Sequence, residues 1–250
     1  MLTQVQGKDA LNLLNRTCSQ LIKPETVQQG CISHLLNPKG KILCTFGMMQ
    51  DKKGRVILEM HRQAYEIFKP AIEKFVIFEE FSLQEIASFS IVSTTTPPFN
   101  AVPSALFKNT SLHYVFEDGT QSLDEVQFTN LRVKNKIPIF PLDYTSDFFA
   151  VESDVICGIH FQKGCYPGQE TVSKTVFRGA TPYVLYWAKG DKGALQACAE
   201  KIKGTCISKY DIERETYAFV RLPRNADITA LAHTHQIHIE RHALSAPLPK

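Results

Sequence analysis

The chain has 250 residues, 28 Lys and Arg against 25 Asp and Glu, and a net charge of +3. That length buries a sizeable core and allows two or three subdomains, while so slight a charge excludes the dense basic footprint of a nonspecific nucleic-acid binder. Direct nucleic-acid binding is therefore not expected. Seven cysteines with no C-x-x-C pair argue against a secreted disulfide framework and a thiolate zinc site. With no apolar stretch long enough to span a bilayer and no signal-peptide core at the amino terminus, the reading is a cytoplasmic protein without a membrane partner.

Taken in chain order, Ala10, Leu11 and Leu14 lie at helical spacing in GKDALNLLNRT and predict a short amphipathic helix. The apolar runs CISHLL and KILCTFGMM flank Asn37, Pro38, Lys39 and Gly40, a hairpin signal, and RVILEM follows a second turn as a third antiparallel strand. Tyr65, Phe68, Ile72 and Phe75 mark a helix that Pro70 kinks or restarts. VIFEEFSLQEI, FSIVST and LHYVFED read as strands, and TTTPPFNAVPSA (94–105) reads as a loop. Ser122 to Glu125 matches a capping box and opens a helix through about Lys134, with Leu123, Val126 and Leu131 facing inward. Residues 136–162 are irregular. GQETVSKTVF predicts a short helix after Pro167 and Gly168. Beyond Gly179, four strand-like runs (YVLYWAKG, TCISKYDI, ETYAFVRL, ITALAHTHQIHIER) surround one helix and suggest a small barrel or sandwich. Strand alternation would split His233 and His235 from His238 and His242, which argues against one shared metal.

The octapeptide KGCYPGQE (163–170) carries more chemistry than a turn needs. A thiol reacts as thiolate, and its acidity rises beside a cation or a helix amino terminus; Lys163 supplies the first and the helix after Gly168 the second. Gly164 and Gly168 allow close backbone approach or positive φ. The other six cysteines read as small hydrophobes. The plain alternative is a glycine-bounded turn with an incidental Cys165. A cysteine hydrolase would further need a histidine, such as His160, within hydrogen-bond reach of that thiol.

KGCYPGQE, continued by TVSKTVFRGA, resembles the signature of the YgfZ-type folate-binding proteins, relatives of the glycine-cleavage T-protein (aminomethyltransferase). GKDALNLLNRTCSQL, LLNPKGKILCTF and KFVIFEEFSLQEI resemble further segments of that family, so the likeness runs through Arg178 and Gly179. Two departures stand out. Arg16 and Ser19 flank Thr17 where the family commonly has glutamine and aspartate, and Glu152 is the candidate substitute for an acid or amide the family carries before the octapeptide.

The resemblance implies an α+β fold of three subdomains in a clover around a central cavity, with antiparallel sheets, packed helices and a small C-terminal β-barrel. The subdomains would be 1–48 with 115–178, 49–114, and 179–250. It implies tetrahydrofolate or a derivative in the cavity, iron–sulfur client enzymes as partners, and support of cluster maturation or of radical enzymes that modify tRNA. Cys165 and Lys163 are the expected reactive pair, Lys163 lowering the thiol pKa. Tyr166, Gly168, Gln169, Glu170 and Arg178 fall on the signature, Gln169 and Glu170 fixing the turn, while Lys39 and Arg178 could face the folate tail. The competing function is a folate-dependent aminomethyltransferase, for which a proton-transferring carboxylate at the folate nitrogen would be central.

Overall fold

In β2 (Cys31–Leu36) all six residues are buried, so the sheet that contains it must be covered on both faces. The computed structural model describes residues 1–98, 101–107, 110–116, 121–178 and 181–245, the last residue of the fourth span, Arg178, by its backbone only. β1 (Leu2–Gln6), β2, β3 (Ile42–Gln50), β4 (Val56–Glu59) and β5 (Ser82–Glu85) form an antiparallel sheet of order β2-β3-β4-β1-β5. Register pairs Ser33 with Phe46 and His34 with Thr45, which places these pairs on opposite faces. On one face Phe46 meets Phe68 of α3 (Arg62–Glu73), ring centroids 5.1 Å apart. On the other, His34 reaches the Val155 carbonyl beside a short 3-10 turn at Ile156–Gly158. Pro70 does not restart α3. It lies on the exposed side, where the carbonyl it leaves unpaired one turn earlier, at the exposed Glu66, can meet water.

This sheet corrects the expected subdomain limits. A boundary after residue 48 would cut β3, and β4 and β5 belong with β1 to β3 rather than to a separate 49–114 unit. A second, three-stranded sheet is made of β6 (Ser90–Ser93), β8 (Leu112–Val115) and β7 (Ala101–Pro103), in that order. β7 lies within the segment read as a loop; its buried Ala101 and Val102 are too few to show a period. The capping box is real but two residues late: Asp124 caps α4 (Glu125–Lys134) with Gln127 reciprocating. Val126 is therefore 67% exposed, and Arg132 and Val133 are the buried residues.

The carboxy-terminal region departs further from expectation. β9 (Tyr183–Gly190), β10 (Thr205–Ile212), β11 (Glu215–Pro223) and β12 (His238–Glu240) form an open sheet of order β10-β11-β9-β12, not a barrel, since β10 and β12 do not pair. α6 (Lys192–Lys201) packs on this sheet and on α7 (Ile228–His235). The run read as one strand is helical in its first half because Asp227 caps it, accepting from the Ala230 N–H at 2.9 Å, and Gln236 ends it at φ +53°. α4 is tied to this sheet by Trp187, whose Nε1 donates to the Val133 carbonyl at 2.9 Å. No described helix is long and apolar enough to cross a membrane.

Candidate functional site

Two signature segments far apart in sequence interlock through backbone. Gly168 has φ +80°, and a Cβ there would lie 2.5 Å from the Asn37 carbonyl oxygen and 2.9 Å from the Gly40 Cα. Gly40, at φ +76°, would place a Cβ 3.0 Å from the Thr171 Cβ. Both positions need glycine for conformation and for space. The hairpin that receives the elbow is set by Asn37, whose Oδ1 accepts from the backbone N–H groups of Lys39 at 2.9 Å and Lys41 at 3.0 Å. The elbow then runs into α5 (Gln169–Arg178).

Within the elbow each side chain takes a different course. Cys165 is exposed at the tip. Lys163 turns inward: its Nζ donates to the carbonyls of Asn15, Cys18 (2.6 Å) and Gln20 (2.9 Å), closing the end of α1 (Ala10–Thr17). An ammonium has three N–H donors, and all three are engaged. Burial pulls the Lys163 pKa down to about 8, so the charged form still dominates at neutral pH, where it suits a helix carboxy terminus. The thiol its charge acts on is Cys18, which burial nevertheless pushes up to about 12. A hydrogen bond from Lys163 to Cys165 would require breaking one of these carbonyl contacts.

Tyr166 is buried, its hydroxyl pushed up to about 12 by burial, and its ring lies 5.3 Å from the Lys163 Nζ. Gln169 does fix the turn, its Nε2 donating to the Lys163 carbonyl at 3.2 Å. Glu170 does not. It faces solvent and pairs with Lys174 one turn along α5 at 2.6 Å, and these hydrogen bonds hold its carboxyl below the usual range.

The remaining candidates scatter. Lys39 is exposed on the hairpin. The Arg178 side chain and Gly179 lie outside the described residues. Glu152 is 1% exposed, and its carboxylate is occupied by the Phe149 N–H at 3.1 Å and by Arg221, which reaches both oxygens at 3.0 and 3.1 Å. Arg221 in turn lies over the rings of Tyr183 and Phe148, so Glu152 joins the elbow's supporting loop to the C-terminal sheet. Thr17 and Ser19 are likewise satisfied internally, by the Leu13 and Gly158 carbonyls. His160 forms no hydrogen bond with Cys165 among the described contacts, and its buried Nδ1 has no partner.

What reading the chain missed is a cavity of about 240 Å³ where distant segments converge. Ile32 of β2, the stretch Ala105–Phe107 after β7, Ile137, Cys157 and the segment Ala243–Ser245 line it. Cys157, classed above as a small hydrophobe, is instead exposed on its wall, its Sγ 3.7 Å from the Leu244 carbonyl. The Ala105–Phe107 wall is anchored from behind by Glu59. That buried carboxylate accepts from the N–H groups of Ala105 (2.9 Å) and Leu106 (3.3 Å) and from the hydroxyls of Ser104 and Tyr114, and burial raises its pKa. No sequence pattern announces this cavity, because its lining comes from five stretches with no common motif.

No family model matches the chain. It is similar to the tRNA-modifying protein YgfZ of Serratia proteamaculans, 24% identical over 218 residues that cover 68% of this chain and 64% of that protein. It is similar to the tRNA-modifying protein YgfZ of Hamiltonella defensa, 26% identical over 226 residues covering 76% and 67%. The chain thus spans about two thirds of the length of these curated relatives. Among solved structures it resembles the glycine cleavage system aminomethyltransferase T from Bartonella henselae, with a TM-score of 0.65, 12% identity, and coverage of 89% of this chain and 75% of that one.

Proposed function

The chain is a YgfZ-type protein related in fold to the glycine-cleavage aminomethyltransferase, and from that premise we propose that it binds tetrahydrofolate or a derivative and serves as an accessory factor in tRNA modification. The observation that carries this reading is the make-up of the cavity. Its described lining is apolar except for Cys157 and Ser245, which suits a compact heterobicycle held largely by contact and by a few polar groups. A pterin fits those walls. Tetrahydrofolate would bring the one-carbon-carrying nitrogens; the chain's own part is to bind the ring and shield it from water.

The rival reading, transfer of an aminomethyl group, needs a group to move a proton at the folate nitrogen. The described lining residues include no carboxylate, imidazole or ammonium, which favours the accessory reading over that rival, since a likeness of fold does not by itself carry the chemistry. In the accessory reading Cys165, exposed on a rigid elbow well suited to meeting another protein, is the thiol offered to iron–sulfur client enzymes.

Calorimetry with tetrahydrofolate tests ligand and thiol separately. Wild type should bind, Cys157→Phe should lose at least about tenfold in affinity by filling the cavity (about 1.4 kcal/mol), and Cys165→Ala should bind as wild type does. The Cys165→Ala strain should nonetheless lose tRNA modification. Absence of binding by wild type at millimolar ligand would rule out the folate role, and full tRNA modification in the Cys165→Ala strain would remove the thiol from it.

A further inference from the structure

Three sides of the cavity are fixed. Ile32 belongs to a fully buried strand, Ala105 and Leu106 hang from Glu59, and the Ile137 N–H donates to the Arg132 carbonyl at 2.9 Å. The fourth side, Ala243–Ser245, belongs to no helix or strand and follows β12 as a short strap. Although Leu244 packs at the edge of the core, the strap's polar attachments to the rest of the chain are few. Arg241 grips Asp154 with two nitrogens, and the Ala243 N–H donates to the Lys136 carbonyl at 2.9 Å.

Between them His242 is buried, with Nε2 2.8 Å from the Ser153 carbonyl, while its Nδ1 accepts from the Leu244 N–H at 3.2 Å. A carbonyl only accepts and an N–H only donates, so His242 must be neutral with its proton on Nε2. Burial agrees, holding its pKa near 4. The imidazole is thus a pin that fixes Leu244, a lining residue, to the loop at Ser153.

The cavity, at about 240 Å³, is smaller than the roughly 300–1,000 Å³ usual for ligand pockets. It has room for a bicyclic ring but not for the aryl arm and tail of a whole folate. Resting on the reading above, we propose that Arg241–Ser245 is a strap that lifts to admit such an extended ligand and closes over it, held by two latches, the Arg241 to Asp154 ion pair and the His242 pin. The ligand class is a reduced heterobicycle carrying an aryl arm.

Cys157 stands at the cavity mouth with its Sγ 3.7 Å from the Leu244 carbonyl of the strap, so the reagent-size dependence of its reaction reports loss of that contact without any ligand. Its alkylation is followed by peptide mass spectrometry with a small reagent, N-ethylmaleimide, and a bulky one, fluorescein maleimide, while exposed Cys165 serves as an internal control. Arg241→Ala and Asp154→Asn should each raise the bulky-to-small rate ratio at Cys157 several-fold and leave that at Cys165 unchanged. Asparagine tolerates the positive φ of residue 154 (+60°), so the second variant keeps the loop conformation. Saturating 5-formyltetrahydrofolate should lower the ratio in wild type. An unchanged ratio in both variants, with circular dichroism showing them folded, overturns the strap. A raised ratio in the variants with no effect of a folate that calorimetry shows to bind overturns closure over the ligand, whereas no effect together with no binding in calorimetry overturns the folate reading instead.

Discussion

The elbow at 163–170 and the node around Arg132 are both rigid, but by opposite means. The elbow is held through backbone: two glycines let two backbones touch, the Lys163 ammonium and the Gln169 amide bind carbonyls, and Cys165 and Glu170 are left over. The node is held by charge. Arg132 and Asp143 are 1% and 0% exposed and 2.7 Å apart. Asp143 also accepts from the Ile139 N–H (2.7 Å), Ser208 (2.6 Å) and Tyr210 (2.6 Å), and Tyr210 accepts from Arg132. Arg132, Asp143, Ser208 and Tyr210 are thereby committed to joining α4 to β10 through the loop at 137–143. A segment fixed by backbone can present reactive groups to solvent, whereas one fixed by buried charge has none to spare. The difference explains how the elbow can carry the exposed Cys165, and why a well-ordered ion pair is no sign of a reactive site.

The largest expected effect breaks the node. Arg132→Met leaves Asp143 buried without its counter-ion and should cost about 3–5 kcal/mol in urea unfolding. Arg132→Met with Asp143→Leu removes both charges and should recover part of that loss. If the single and double variants were equally stable, the node would not be working as a charge pair.

A pH titration sharpens the comparison, since two buried imidazoles must stay neutral for the fold. Burial holds His34 and His242 near 4, below the ordinary 6.5. Between those values the unfolded chain takes up protons that the folded chain does not, so stability is full above about 6.5 and falls as the pH drops towards 4. Each imidazole can account for at most roughly 3 kcal/mol. Asp154 has the opposite sign: burial raises it to about 6 despite Arg241, so the folded state takes up its proton first and gains stability between about 6 and 3.8. Asp154→Asn should therefore show the steeper loss of stability over that lower range in urea melts. A pH-independent stability between 7 and 4 in both proteins would contradict neutral burial of the two imidazoles.

How far the chain could be read follows the same division. The β2 to β3 hairpin, α3 and α5 were visible because their signals are local: turn residues between apolar runs, or a 3.6-residue period. Gly168 and Gln169 were placed in the turn from the octapeptide, and they act there. Sequence adjacency points Lys163 at Cys165, but its acceptors are the carbonyls of Asn15, Cys18 and Gln20, and nothing local points to them. Glu152 failed in the same way, its partner being Arg221. The C-terminal strand reading failed because a cap at Asp227 and a left-handed Gln236 divide an apolar run that can be read at either period. The cavity was invisible because tertiary contact alone assembles it.

The smallest effect tests whether the elbow is held by contact or only by conformation. Gly168 and Gly54 share a φ of +80°, but a Cβ on Gly54 would have only the Gln50 Nε2 near it, at 3.8 Å, whereas one on Gly168 meets backbone at 2.5 Å. Gly54→Ala therefore reports the conformational cost by itself, about 1 kcal/mol. Gly168→Ala carries that cost and the displacement of the Asn37 to Gly40 turn as well, and should reach about 2–3 kcal/mol. The excess measures the interlock of the two signature segments. Equal losses in the two variants, measured by urea unfolding, would mean that the hairpin yields freely to the added methyl group. In that case the elbow would owe its shape to the turn alone, and the pairing of NPKG with YPGQE would have no structural reason.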